Sequence, residues 1–105
     1  MFDMDSIKVM YSNHAVEYTK HFRIRMKDRD VKFSDIRTAI NSGEIIAQDL
    51  KDIPNPSVLI LGAARDGRPL HVAVGVGDDK LYLVTVYFPT LEIWEADYKT
   101  RKVVD

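Results

Sequence analysis

The stretch from Gly67 to Tyr87, GRPLHVAVGVGDDKLYLVTVY, constrains the fold of this chain more than any other. Two runs rich in alternating apolar residues flank a Gly-Asp-Asp-Lys segment at 77–80, whose residue types favour a tight turn, so the stretch is predicted to form a β-hairpin. In the first strand one face is aliphatic, whereas the other carries small residues and a single imidazole, that of His71. The return strand places a hydroxyl and a phenol, those of Thr85 and Tyr87, on one side.

The register of this hairpin decides which side chains share a face, because a slip of one residue moves every side chain to the opposite face. A strict two-residue turn at positions 78–79 would place His71 opposite Val86. A three-residue loop with a bulge, which a Gly-containing connection favours, would instead place His71, Thr85 and Tyr87 on one face, and this is the arrangement that we predict. The aliphatic face that is then expected to be buried against helices consists of Val72, Val74, Val84 and Val86.

Composition limits the class of protein. The chain has 105 residues, of which 46% are hydrophobic, enough for one domain with its own core. It has no cysteine, so disulfides, thiolate metal sites and a cysteine nucleophile are excluded. The three histidines lack the paired spacing of zinc ligands, and no glycine-rich loop precedes a helix, so we expect neither a metal nor a cofactor. The N-terminal segment mixes acidic with apolar residues, unlike a signal peptide or membrane span, so we expect a cytoplasmic protein without a membrane partner.

The order of the predicted elements indicates an α+β fold with helices on one face of a sheet. A first helix is predicted to begin after Ser12 or Asn13 and to end near residues 28–30, because apolar residues recur there at helical spacing. A second, shorter helix should stop at Gly43, a residue suited to the left-handed conformation after a helix. The single domain 1–105 is thus divided into a lead-in (1–11), two helices (12–43), a four-stranded antiparallel meander (44–88) and a C-terminal segment (89–105), which periodicity leaves as either a short helix or an extended tail.

The first predicted helix carries candidate chemistry. His21, Arg25 and Arg29 follow one another at intervals of four residues and therefore project from one side. Imidazole transfers protons near neutral pH, and guanidinium pairs with two phosphate oxygens at once, so this combination suits a phosphodiester. The segment from Lys20 to Arg37 is basic, with seven Lys or Arg residues against three Asp, although the net charge of the chain is −1. The alternative interpretation is a solvated basic helix face.

The middle of a strand is an unusual position for an imidazole, so His71 is either approached by a substrate or held by a hydrogen bond to Thr85 or Tyr87. Both of those partners can donate hydrogen bonds to an anion, and a tyrosine can also stack on a base. Trp94 is expected either to cover the core or to act as a stacking platform. Arg101 is a surface residue unless the tail folds back toward the sheet.

Several segments together resemble family 4258 of the domains of unknown function. These are HFRIRMKDRDV (21–31), GEII (43–46), GRPLHV (67–72) and VTVYFP (84–89), followed by Trp94 and Arg101, so that the resemblance covers residues 14–101. This small prokaryotic family is similar in element order to the barnase and RelE-type superfamily of metal-independent ribonucleases and toxins. The resemblance implies two N-terminal helices packed on a four-stranded antiparallel sheet, and it marks as signature polar positions His21, Arg25, His71, Thr85, Tyr87 and Arg101.

These observations lead to the hypothesis of a metal-independent endoribonuclease of the toxin type, with those six residues as its catalytic set. His71 is assigned as base and His21 as acid, or the reverse, and both must then lie within reach of one substrate. Further substrate-binding candidates are Arg29, Arg68 and Trp94. The implied partners are RNA, including ribosome-associated RNA, and a neutralising antitoxin protein. The alternative is a non-catalytic binding module whose polar cluster ties helix to sheet, and the two differ in whether the imidazoles are exposed or buried and hydrogen-bonded.

Overall fold

The computed structural model describes residues 2–103, which form three helices and five strands. In chain order these are α1 (Met4–Ser12), β1 (Val16–Tyr18), α2 (Lys20–Asp28), α3 (Phe33–Ser42), β2 (Glu44–Asp49), β3 (Ser57–Ala63), β4 (Pro69–Val76) and β5 (Leu81–Tyr87). Within this part of the chain, none of the helices has the length and apolar character that crossing a membrane requires. Residues 1, 104 and 105 of the predicted domain lie outside the described range.

The five strands form one mixed sheet in the order β1-β5-β4-β3-β2. Strands β2 to β5 make the expected antiparallel meander, whereas β1 runs parallel to β5 and pairs Val16 with Leu81. The prediction of two N-terminal helices on a four-stranded antiparallel sheet is therefore wrong, because a third helix precedes β1 and β1 adds a fifth, parallel strand. The broad α+β class holds.

The local reason for this difference lies in the N-caps. Asp3 begins α1 by accepting a hydrogen bond from the backbone N–H of Ser6 (2.8 Å), so most of the predicted lead-in is helical. Thr19, rather than Ser12 or Asn13, caps α2 through a bond from the N–H of Phe22 (3.2 Å). Residues 16–18, between the end of α1 and Thr19, then pair with β5, and Tyr18 belongs to a strand instead of a helix.

The core lies between the helices and one face of the sheet. Helix α3 rests directly on β3, where a Cβ atom added to Gly62 would stand 2.0 Å from the carbonyl oxygen of Ala39. Gly43 ends α3 as predicted, but its backbone is extended (φ −87°) and the expected left-handed conformation is absent there. Gly43 is required for space instead, since an added Cβ would lie 2.6 Å from Cγ2 of Ile60. The fully buried side chains of this layer include Phe22, Ile36, Ile40, Ile60, Leu70, Val72, Val74, Leu81, Leu83 and Val86.

The hairpin of β4 and β5 contains the predicted bulge, but the bulge lies within β5. The predicted three-residue loop is wrong, because Gly77 donates its N–H to the carbonyl of Lys80 (2.9 Å) and closes a two-residue turn. The register then shifts beside Ala73. As a result His71 pairs with Tyr87, as expected. The burial of Val84 was predicted wrongly: this residue is the extra one in β5 and is 41% exposed.

The described part of the C-terminal segment, residues 89–103, forms neither a helix nor a free tail. Residues 93–102, which we call the C-terminal hairpin, fold back on themselves, with Trp94 bridged to Arg101. Asp97 holds the turn, because its carboxylate accepts bonds from the N–H groups of Lys99 and Thr100 (2.9 and 3.0 Å). Tyr98 adopts a left-handed backbone conformation in this turn (φ 57°). The hairpin covers part of the sheet face that the helices leave open.

Candidate functional site

His71 lies at the centre of the polar cluster on the open face of the sheet. Its Nε2 is 2.8 Å from the carbonyl oxygen of Tyr98, and its Nδ1 is 3.0 Å from the hydroxyl of Tyr87. A carbonyl oxygen can only accept a hydrogen bond, so Nε2 carries the proton. In the neutral ring Nδ1 is then the acceptor, and the Tyr87 hydroxyl donates to it. This contact fixes both the tautomer of His71 and the direction of the Tyr87 bond.

The C-terminal hairpin shields this imidazole from water. His71 is 0% exposed, and the Trp94 ring meets it edge to face, with ring centroids 4.5 Å apart. Burial lowers the pKa of His71 below its usual value, because a charged imidazolium loses hydration there. Burial also raises the pKa of Tyr87, and the positive charge of Arg101 works in the opposite direction. At neutral pH the pair is therefore an uncharged imidazole and an uncharged phenol.

Helix α2 runs along the outer edge of β5 beyond the end of the short strand β1. At one end, the N–H and the hydroxyl of Thr19 both donate to the carbonyl of Leu83 (3.3 and 2.9 Å). At the other end, Nη1 of Arg29 donates to the carbonyl of Val86 (2.9 Å). The helix thus satisfies edge carbonyls that none of the five strands of residues 2–103 reaches, and it fixes Arg29 one residue away from Tyr87.

The predicted stripe of His21, Arg25 and Arg29 lies on α2 and its C-cap. Arg29 is exposed but its guanidinium reaches the sheet, Arg25 is half-buried, and His21 is exposed. Arg25 forms a loose ion pair with Asp28 (3.7 Å). Because His21 lies near the Leu83 end of β5, four strand residues, or roughly 13 Å, separate it from the Tyr87 end.

Two more arginines reach the end of β5. The guanidinium of Arg68 stands 4.0 Å from the ring centroid of Phe88 and pairs with Asp66 (2.7 Å). The guanidinium of Arg101 stands 5.7 Å from the ring centroid of Trp94. We call this convergence the β5-end site and define it as Arg29, Arg68, His71, Tyr87 and Arg101.

The structure brings together only part of the predicted set. His71, Tyr87, Trp94 and Arg101 form one cluster, whereas within residues 2–103 His21 and Arg25 make no hydrogen bond or ion pair with it. Thr85 shares the face of His71 but stands in the next row, opposite Ala73. In the same part of the chain, no group of three or more His, Asp or Glu side chains could hold a metal ion.

Comparison with known proteins gives a family but no activity. Residues 18–88, about two thirds of the chain, match the family described as Domain of unknown function (DUF4258). The chain belongs to this family. No curated protein and no solved structure matches it significantly.

The DUF4258 match divides the β5-end site. Arg29, Arg68, His71 and Tyr87 lie inside the matched range, whereas Arg101 lies beyond it, together with the whole C-terminal hairpin. The resemblance deduced from sequence extended to residue 101, and the match ends at residue 88.

Sequence analysis missed three groups that shape the site. The backbone carbonyl of Tyr98 fixes the His71 tautomer, the carboxylate of Asp97 holds the hairpin turn, and Lys99 ties the hairpin to Glu44 of β2 (2.7 Å). Only Asp97 had a sequence signal, because an aspartate side chain commonly accepts hydrogen bonds from the backbone N–H groups two and three residues later and so favours a turn.

Proposed function

We propose that this DUF4258 protein binds RNA at the β5-end site and cleaves it without a metal ion, in the manner of a toxin-type endoribonuclease. One observation carries the proposal: three arginines surround the end of β5, where a tyrosine hydroxyl is already hydrogen-bonded to a neutral imidazole. Guanidinium groups bind phosphate oxygens and stabilise the charge that grows on them during transesterification.

The charge balance at the site supports an anionic ligand. Arg29 and Arg101 have no carboxylate partner among residues 2–103, and Arg68 has only the exposed Asp66. Arg25 adds a fourth cation on the same stripe, and its ion pair with Asp28 is long and exposed. Arg29 and Arg101 can therefore donate hydrogen bonds to phosphate oxygens without breaking an ion pair.

The Tyr87–His71 pair supports a proton-transfer role. In the proposed step, Tyr87 accepts the proton of the ribose 2′-hydroxyl while passing its own proton to Nδ1 of His71. The 2′-oxygen attacks phosphorus, the bond to the 5′-oxygen breaks, and that oxygen takes a proton from water. His21 takes no part in this step, since roughly 13 Å along β5 separate it from Tyr87. The products are a 2′,3′-cyclic phosphate and a 5′-hydroxyl. His71 thus acts as the base through Tyr87, and the carbonyl of Tyr98 stabilises the imidazolium that forms.

The cleavage test compares Tyr87→Phe with Tyr82→Phe, a matched change of a half-buried tyrosine on the same strand. Tyr87→Phe should abolish cleavage of an oligoribonucleotide and leave its binding unchanged, because only the transferable proton is lost. Tyr82→Phe should cleave like the wild type. Equal cleavage by all three proteins would contradict the assignment of Tyr87.

The binding test uses Arg101→Ala and Arg25→Lys, with Arg65→Ala as the control, since Arg65 is exposed and outside the site. Each lost phosphate contact should weaken RNA binding and lower the slope of log affinity against log salt by about 1. Lysine at position 25 keeps the charge but loses the planar fork, so Arg25→Lys should weaken binding at unchanged folding stability. Because Arg25→Lys keeps the cation, the salt slope is decisive only for Arg101→Ala, and an unchanged slope in that variant would remove the phosphate assignment.

The burial of His71 favours a second candidate function, that of an RNA-binding module without catalysis. Both ring nitrogens of His71 are engaged and the ring is 0% exposed, as in a histidine that serves structure. This module would bind RNA with the same arginine and salt dependence, but neither the wild type nor Tyr87→Phe would cleave it. Expression in cells, with growth and RNA integrity followed for both proteins, distinguishes the two functions.

The ribonuclease proposal includes a cytoplasmic protein partner that neutralises the site. Such an antitoxin would present carboxylates to Arg29 and Arg101, which have no acidic partner in the described part of the chain. It should therefore compete with RNA for the wild type and bind Arg101→Ala more weakly.

A further inference from the structure

A second concave site lies on the other side of β1, away from the β5-end site. It is a groove of about 430 Å³ between the end of α1, β1 and the outer side of α3. We call it the tyrosine groove, and its principal lining residues are Tyr11, His14, Tyr18, Phe33, Arg37 and Asn41. Its volume falls within the range of about 300–1,000 Å³ that small-molecule sites occupy.

The floor of the groove is aromatic. The rings of Tyr18 and Phe33 meet edge to face with centroids 5.0 Å apart, and Phe33 is 52% exposed although it is a large apolar residue. The cation of Arg23 stands 5.6 Å from the centroid of Tyr18. An exposed phenylalanine beside a held tyrosine offers a face on which a planar ring can stack.

The two tyrosines also leave one hydrogen-bond donor unused. The hydroxyls of Tyr11 and Tyr18 are 2.9 Å apart and half-buried, and one donates to the other. Two hydroxyl groups have two protons, so a pair that shares one hydrogen bond retains one O–H for a third group. Burial raises the pKa of Tyr11, which keeps its hydroxyl protonated at neutral pH.

The charged and polar lining is suited to an anion. Arg37 and His14 line the groove together with the amide of Asn41, and among residues 2–103 no carboxylate lines it. Within residues 2–103 the side chain of Arg37 forms no ion pair, and its charge acts on Tyr11. His14 has a left-handed backbone (φ 61°), a conformation uncommon outside glycine, and this turn places it at the rim of the groove.

We propose that the tyrosine groove binds a nucleoside monophosphate unit, with Arg37 on the phosphate, the aromatic side chains against the base, and Asn41 at the base edge. The unit is either a free nucleotide or one nucleotide of an RNA strand. The groove shares no residue with the β5-end site, so this inference goes beyond the ribonuclease proposal and stands whether or not RNA is cleaved.

The test titrates adenosine 5′-monophosphate, adenosine and inorganic phosphate into isotopically labelled full-length protein and follows backbone amide shifts. The nucleotide should shift amides around the groove and bind more tightly than adenosine or phosphate alone. Arg37→Ala should weaken nucleotide binding by about tenfold, the effect of one charge-assisted hydrogen bond, and leave adenosine binding unchanged. Tyr11→Phe, which removes a hydroxyl and keeps the ring, should weaken it less.

Arg65→Ala is the matched control, because Arg65 is an exposed arginine outside the groove and should leave nucleotide affinity unaltered. Thermal unfolding of each variant shows whether the fold is intact. An oligoribonucleotide separates the two sources: if Arg37→Ala weakens RNA binding as well, the unit belongs to a strand, and if it weakens only the mononucleotide, the ligand is free. The proposal is overturned if the nucleotide shifts no groove amide at millimolar concentration, or if folded Arg37→Ala binds it as tightly as the wild type.

Discussion

Replacing His71 by alanine should destabilise the protein strongly, and the structure allows the cost to be worked out. The change removes hydrogen bonds to Tyr87 and Tyr98, each worth about 1 kcal/mol in a folded protein. It also opens a cavity beside Trp94 at a position that is 0% exposed, which adds about 1–2 kcal/mol. The free energy of unfolding should therefore fall by about 3 kcal/mol, with a decrease in Tm of about 12 °C for a domain of this size.

Urea denaturation at pH 7.5 measures this change, and His21→Ala is the matched control. His21 is an exposed imidazole on α2, so its loss should change the free energy of unfolding by less than about 0.5 kcal/mol. His71→Phe refills most of the volume, so it should recover the stability lost to the cavity. The stability lost with the two hydrogen bonds should not return. If His71→Ala and His21→Ala proved equally stable, the cluster would not hold the C-terminal hairpin on the sheet.

The same cluster predicts a pH dependence. Burial lowers the pKa of His71 in the folded protein, so as the pH falls the unfolded chain takes up the proton first. Stability should then be constant above the unfolded pKa of about 6.5 and should decrease below it, until the folded pKa is reached. Carboxylates whose pKa is lowered, such as that of Asp97, change the stability only at more acidic pH. In His71→Ala, and not in His21→Ala, the decrease just below pH 6.5 should disappear.

Two further predictions test the packing of the sheet. Val86→Ala should lower the free energy of unfolding, measured in urea, by about 2 kcal/mol because Val86 is fully buried. Val84→Ala should lower it by well under 1 kcal/mol, because Val84 is 41% exposed. Equal losses would contradict the bulge in β5. Gly62→Ala should cost about 3 kcal/mol or prevent folding, since its Cβ would overlap the carbonyl of Ala39. If thermal unfolding showed this variant to be as stable as the wild type, α3 would not rest on β3.

The antiparallel part of the sheet could be predicted from sequence because its signals are local. Alternation, the turn residues at 77–80 and the need for a bulge placed His71 opposite Tyr87, although the bulge itself lies at Val84 and not in the loop. Strand β1 gave no such signal. It has three residues and pairs with β5, whose residues lie 65 positions further along the chain. The apolar residues Ala15 and Tyr18 also stand at helical spacing from Phe22, so periodicity favoured a longer helix over two caps and a strand.

The candidate site was predictable only where side chains determine it. The shared face of His71 and Tyr87 followed from strand alternation, whereas the third member, the carbonyl of Tyr98, is a backbone group that any residue could supply. The position of Arg101 depended on the tail folding back, and its partner Trp94 gave no indication of which surface it would cover. Sequence patterns specify faces of elements more reliably than they specify where a terminal segment docks.

The magnitudes decide which contact holds the C-terminal hairpin in place over His71. Lys99 and Glu44 form a short ion pair, but both side chains are about half exposed, and exposed pairs contribute little to stability. Trp94 is only 7% exposed, and burial of a tryptophan contributes about 3 kcal/mol or more. The Tyr98–His71 hydrogen bond contributes less than this, but it is directional and can form only in one register of the hairpin. Trp94 therefore contributes most of the free energy that holds the hairpin on the sheet, and the hydrogen bond to His71 sets the register of the hairpin. The imidazole stays shielded from water for as long as Trp94 is packed against it.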